Sequence, residues 1–250
     1  MTEALDEKNM HTISEFIDEL KKQHNTLTVS NPYIEAGVAE NLKLYLELML
    51  KIDGKRILLV GEAPGYKGCK ITGIPFTSGK VFENVNHPVL SGIKDRLRLN
   101  KIESEITATI VWNYLATKNA TPLFWNSFPY HPHPEGNENK NRAPTDEEIE
   151  YGVKFLHALN IIFKPEIIAG IGNSGVDCAK HAFPEIEIKY IRHPSFGGKS
   201  EFIEGMNEII YRDRNAPHRA SLPHHAAYGS VLRGSADARQ KSDPGEQTVE

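Results

Sequence analysis

Three short stretches hold the residues of this chain that could do chemistry. The first is Gly61-Glu62-Ala63-Pro64-Gly65 with the downstream loop Gly73-Ile74-Pro75-Phe76-Thr77-Ser78-Gly79, which offers a carboxylate, Glu62, and an aromatic ring, Phe76. The second runs from Thr121 to Phe128 and carries Asn126 near its end, before Pro129-Tyr130-His131-Pro132-His133-Pro134-Glu135-Gly136. The third is Arg192-His193-Pro194-Ser195, followed by Phe196, two glycines and Lys199. Together they supply an aromatic platform, an amide that both donates and accepts, an imidazole, an acid, and a hydroxyl in a Gly/Lys loop. Taken singly, Glu62 reads as a turn residue and His193 as a satisfied structural histidine. Asn126 is harder to dismiss, because an amide at a buried strand end is costly unless paired.

The pattern around these groups predicts the elements that hold them. Arg56-Ile57-Leu58-Leu59-Val60 is a strand-length apolar run bounded by Asp53-Gly54 and Gly61, so it reads as a strand buried on both faces. Thr121 to Phe128, Glu166 to Ile171 and Ile186 to Ile191 read as three more strands. Amphipathic helices are expected over Thr12 to Lys22, from Asn31-Pro32 through Leu50, and from the Thr145/Glu148 capping box to Lys164-Pro165. Ser174 to Phe183 and Phe202 to Tyr211 complete the set. Ile93, Leu97 and Leu99 suggest a short helix, while the type of the apolar stretch Ile106 to Leu115 stays open. Strands alternating with helices predict an α/β fold, a three-layer α/β/α sandwich around a central, mainly parallel four-stranded sheet. In such a sheet the strand ends share one edge, so the three groups can converge on one pocket.

Composition narrows the class. With 39% hydrophobic and 25% charged residues, the 250-residue chain suits a globular domain with extensions: a flexible start at 1–9, the domain at 10–213 and a disordered tail at 214–250. No apolar run approaches membrane-spanning length, and the polar, acidic start predicts neither signal peptide nor anchor. Two cysteines, Cys69 and Cys178, fit a reducing cytosol and cannot build a disulfide framework or a four-cysteine metal site. Residues 1–53 hold 10 acidic against 5 basic side chains and residues 54–213 hold 19 against 19. The acidity thus sits in the first helices, and the neutral sheet region neither demands nor forbids nucleic acid.

Several familiar signatures fall short. Gly73 to Lys80 has five residues between its glycines and Val81 after its lysine, which departs from a Walker A loop. Gly170-Ile171-Gly172-Asn173-Ser174-Gly175 matches G-x-G-x-x-G, but the next acids, Glu185 and Glu187, precede or open the following strand instead of ending it. It reads as a tight strand–helix turn, with a nucleotide-cofactor enzyme as the distant alternative. Ser174 lacks a nucleophile elbow. His131 and His133 have no cysteine or carboxylate cluster beside them, so they read as solvated loop histidines, and no metal is expected.

GEAPG with GIPFTSG, then WNSFPYHPH, then RHPSFGGK resemble, in order, the motifs of the uracil-DNA glycosylase superfamily over roughly Lys55 to Tyr211. The first piece is similar to the loop of its iron–sulfur branch. The resemblance implies a monomeric enzyme that acts on DNA containing uracil or other deaminated bases, in the cytoplasm at the nucleoid. It implies that the Gly61, Ala63, Pro64 and Gly65 backbone holds base and water, that Glu62 places the water, and that Phe76 stacks on uracil. Asn126 would read the uracil edge, His193 would bond uracil O2, and Arg192, Ser195, Phe196 and Lys199 would contact DNA. This chain departs from the pattern in three places. Ala63 stands where the best-known branch has aspartate. The four cluster cysteines are missing, so no cofactor is expected. Gly197 falls where a wedge leucine is common, leaving Phe196 for that task. The nearer alternative is a superfamily member that binds damaged bases or nucleic acid without efficient turnover.

Overall fold

The computed structural model describes residues 10–211, so the expected flexible start and disordered tail lie outside the described residues. Helix α1 (Ile13–Leu20) opens on a capping box: Thr12 Oγ1 accepts from the Glu15 amide at 3.2 Å and Glu15 accepts from the Thr12 amide at 3.1 Å. Strand β1 (Val29–Ser30) follows. Asn31 then caps only a 3-10 turn, Pro32–Ile34, and helix α2 (Ala36–Met49) starts afresh after Glu35. The predicted single helix from Asn31 is therefore two elements, because Glu35 is extended, with ψ of 119°.

Strand β2 (Ile57–Gly61) is buried throughout. The stretch after it is more helical than its Gly/Pro content suggests, with α3 (Cys69–Thr72), α4 (Gly79–Asn84) and α5 (Pro88–Lys94). The ambiguous apolar stretch is helix α6 (Ile106–Leu115). Strand β3 (Leu123–Asn126) precedes β4 (His131–Pro132), which pairs antiparallel with β1. That ribbon was not expected, and it corrects the picture of solvated histidines. His131 and His133 are both buried, and their rings stack 5.5 Å apart.

Helix α7 (Asp146–Phe163) has the predicted Thr145/Glu148 box and ends where Lys164 turns left-handed before Pro165. Strand β5 (Ile167–Ile171), helix α8 (Gly172–Ala182), strand β6 (Lys189–Ile191) and helix α9 (Lys199–Tyr211) close the fold. Strand β6 is shorter than predicted, and α9 begins three residues early.

The sheet order is β3-β2-β5-β6, with every neighbouring pair parallel. Phe124 and Trp125 show how both faces are covered, since successive strand residues point to opposite sides. Trp125 meets Phe16 of α1 at 5.0 Å, and Phe16 meets Phe155 of α7 at 5.5 Å. Phe124 instead meets Trp112 of α6 at 6.1 Å and Phe76 at 5.2 Å. Helices therefore flank the sheet on both faces, as the alternating pattern predicts. The glycines of the G-x-G-x-x-G turn serve this packing: a side-chain carbon on Gly170 would lie 2.2 Å from the Val176 nitrogen, and one on Gly175 2.1 Å from the Val60 carbonyl oxygen.

Candidate functional site

The register places Gly61, the last residue of β2, level with Asn126, the last of β3. Ser127 continues the contact: its amide and its hydroxyl both donate to the Gly61 carbonyl, at 2.8 and 2.7 Å. Phe76 is carried onto this corner by a strained backbone, with φ of 57° where non-glycine residues are uncommon. Trp112 Nε1 donates to its carbonyl at 2.9 Å. The loop behind it is cross-tied by Thr72 and Thr77, whose hydroxyls lie 2.8 Å apart, and by Asn41 Nδ2 donating to the Thr72 carbonyl at 3.0 Å. A side-chain carbon on Gly61 would stand 2.5 Å from the Phe76 ring and 3.1 Å from Asn126 Oδ1. Gly61, Phe76 and Asn126 thus form one corner, and only glycine leaves room for the ring. Asn126 is 4% exposed.

A second group gathers around His193. The Glu62 carboxylate accepts from Ser174 Oγ at 2.8 Å, at the start of α8. His193 lies beside the same helix, 3.6 Å from where a Gly172 side-chain carbon would be. Its Nδ1 receives the Ser195 amide at 3.3 Å and lies 2.6 Å from Ser195 Oγ. A backbone N–H can only donate, so Nδ1 is the acceptor and the neutral ring carries its proton on Nε2. Burial holds the His193 imidazole below its usual value; the Glu62 charge opposes this and Arg192 assists it.

The loop between Gly61 and Tyr66 is held from the far side by β4 and the excursion after it. His131 Nδ1 lies 2.8 Å from the Pro64 carbonyl, and Asn141 Oδ1 accepts from the Tyr66 amide at 3.0 Å. Arg142 locks that excursion down with a two-pronged contact to Glu148, at 2.6 and 2.7 Å. Ala63 packs partly buried against the core.

A cleft of about 730 Å³ opens between Gly65-Tyr66-Lys67, the first turns of α6, and Pro194 to Gly197 with Lys199. Phe196 is 97% exposed in it, at φ of 52°, and Ile106 is 76% exposed on another wall. Phe76, Asn126, Glu62, His193 and Arg192 are not among its walls. Of the predicted residues, Gly61, Phe76 and Asn126 form the corner, Glu62, His193 and Arg192 the second group, and Gly65, Ser195, Phe196 and Lys199 line the cleft, while Ala63 and Pro64 lie in the loop between.

Sequence reasoning passed over Ser174, Asn141 and Lys67. In the sequence Ser174 is a serine without a nucleophile elbow, and its bond to Glu62 spans 112 residues. No local signal marks it.

The family model of the uracil DNA glycosylase superfamily matches residues 50–223. The chain belongs to the uracil-DNA glycosylase superfamily. The crystal structure of wild-type SMUG2 from Pedobacter heparinus shares the fold, with a TM-score of 0.59 and 14% identity over 81% of this chain and 98% of that one. No curated protein matches. The superfamily's iron–sulfur branch needs four thiolates, and the two cysteines here, Cys69 and Cys178, do not fit such a cluster. Among the described residues no group of three or more His, Cys, Asp or Glu could hold a metal ion, and no helix is long and apolar enough to cross a membrane.

Proposed function

We propose that this superfamily member is a monofunctional DNA glycosylase that hydrolyses the N-glycosidic bond of uracil in DNA, working as a monomer through the domain at 10–213. The observation that carries the reading is the Gly61–Phe76–Asn126 corner, where a ring and a buried amide meet at a strand end whose glycine leaves them room. A base is read in such a pocket only after it leaves the stack, by stacking and by hydrogen bonds to its edge. Phe76 stacks on the flipped uracil. Asn126 accepts from N3–H and donates to O4, a pattern that cytosine reverses.

Cleavage of the C1′–N1 bond sends its electron pair to the base and leaves a cation-like sugar. His193 Nε2–H donates to O2 as negative charge gathers there, while Ser195 keeps the ring in that tautomer. Glu62, held by Ser174 through one carboxylate oxygen, orients the water that adds at C1′ and takes up the proton it releases, which is then passed to the departed uracil anion. Because Ala63 brings no second acid to the loop, water placement rests on Glu62 and the loop backbone. The DNA lies in the cleft, its phosphates near Ser195 and Lys199, with Phe196 filling the place of the departed base. Two buried free thiols suit the cytoplasm, where the protein would meet the nucleoid.

The test is incubation of the purified protein with single-stranded and duplex oligonucleotides carrying one uracil, scored for alkali-labile abasic sites. The expected result is cleavage that vanishes in Asn126→Ala. Folded protein that leaves both strand forms intact would overturn the enzyme reading in favour of a binding role.

A further inference from the structure

Behind Asn126 the interior holds two polar groups that the chemistry above does not use. Asn126 Nδ2 lies 4.0 Å from the thiol of Cys69, and that thiol lies 3.9 Å from the Tyr33 hydroxyl. The Tyr33 hydroxyl is in turn 3.2 Å from the Gly73 carbonyl. All three side chains are buried, Tyr33 completely. The direction of the chain follows from counting hydrogens. A carbonyl only accepts, so the single Tyr33 hydrogen goes to Gly73 and the phenol oxygen faces Cys69 as an acceptor. The Cys69 hydrogen then points to Tyr33, and the sulfur turns only lone pairs to Asn126. An amide oxygen there would meet those lone pairs, whereas the amide nitrogen can donate to them.

From this geometry we infer that Cys69 and Tyr33 are positioning residues that lock the orientation of the Asn126 amide and so set which base edge the pocket accepts. The inference rests on the uracil reading of the site. With Nδ2 anchored on Cys69, Oδ1 and the second Nδ2 hydrogen stay available for a base that donates at its ring nitrogen and accepts at its exocyclic oxygen, which is uracil. Cytosine needs the amide turned over, and turning it sets Oδ1 against the sulfur. Burial pushes the Cys69 thiol up to about 12, so the S–H that this direction requires persists at neutral pH.

The assay is equilibrium binding of single-stranded oligonucleotides carrying 2′-fluoro-2′-deoxyuridine or 2′-fluoro-2′-deoxycytidine. The fluorine disfavours a cation-like sugar, so the base stays attached and chemistry does not enter the readout. Tyr33→Phe frees the S–H to donate towards a turned amide oxygen, and Cys69→Ala removes the anchor. Each is expected to narrow the uracil-to-cytosine affinity ratio by about tenfold, the weight of one buried hydrogen bond. A purely structural role would weaken both oligonucleotides alike. An unchanged ratio in folded Tyr33→Phe would therefore overturn the inference even if Cys69→Ala does not fold. Wild-type protein that binds the two equally would overturn the uracil reading itself, and the lock with it.

Discussion

At the scale of single residues, His193 has the most defined chemistry. Its Nδ1 is occupied as an acceptor by the Ser195 amide, which leaves Nε2–H as a fixed donor. Removing one donor aimed at developing charge slows catalysis by about a hundredfold or more. His193→Ala is accordingly expected to cut the single-turnover rate on uracil by that amount while oligonucleotide affinity changes little; equal losses in both would make the histidine structural. Because burial lowers its pKa, the neutral form persists as pH falls through the ordinary histidine range. Below that range Nδ1 takes up a proton and can no longer accept the Ser195 amide that orients the ring. Wild-type excision should therefore stay level through the range and decline only below it, with that limb absent from the residual rate of His193→Ala. Stability has the same sign. His87, His131 and His193 are all depressed by burial, so their contribution is complete above the unfolded histidine value and is lost as pH falls through the lowered ones.

At the scale of elements, the site depends on how closely helices approach strand ends. Helix α7 comes so near the end of β3 that a side-chain carbon on Gly152 would lie 1.7 Å from the Ser127 carbonyl oxygen. Ser127 holds Gly61 through two bonds and follows Asn126 directly, so displacement here reaches the Gly61–Phe76–Asn126 corner. Gly152→Ala is expected to cost about 1–3 kcal/mol or more in thermal unfolding, the range for overpacking, and to lower uracil affinity. A variant with wild-type melting would show that α7 can give way without loss. The capping boxes at Thr12/Glu15 and Thr145/Glu148 were legible because they are local, three residues apart. The break before α2 was missed because Asn31-Pro32 begins a turn as well as it begins a helix.

At the scale of the whole molecule, the feature to test is the cleft, where the proposed function puts the DNA. Its most exposed apolar side chain is Phe196, held out at positive φ and followed by Gly197 at φ of 79°. If this ring fills the gap left by a flipped base, it matters only where there is a stack to hold open. Phe196→Ala should lower excision from duplex DNA by about tenfold or more and leave single-strand excision nearly unchanged. Equal effects on both substrates would remove the wedge role and leave Phe196 as a general contact.

From the amino-acid sequence alone came the four strands of the parallel sheet, most of the helices and the superfamily, but not the β1–β4 ribbon. These are local patterns of apolar spacing, caps and turn residues, and each is written in consecutive positions. Only the tertiary contacts put Gly61 beneath Phe76, brought Ser174 to Glu62, and buried His131 against the Pro64 carbonyl and His133 against Ser30. They also set a cysteine and a tyrosine behind Asn126. The physical reason is the same in each case. Such contacts join residues well separated in the chain, up to 112 positions for Ser174 and Glu62, and whether a polar side chain is satisfied or free depends on which distant group the folded sheet brings against it.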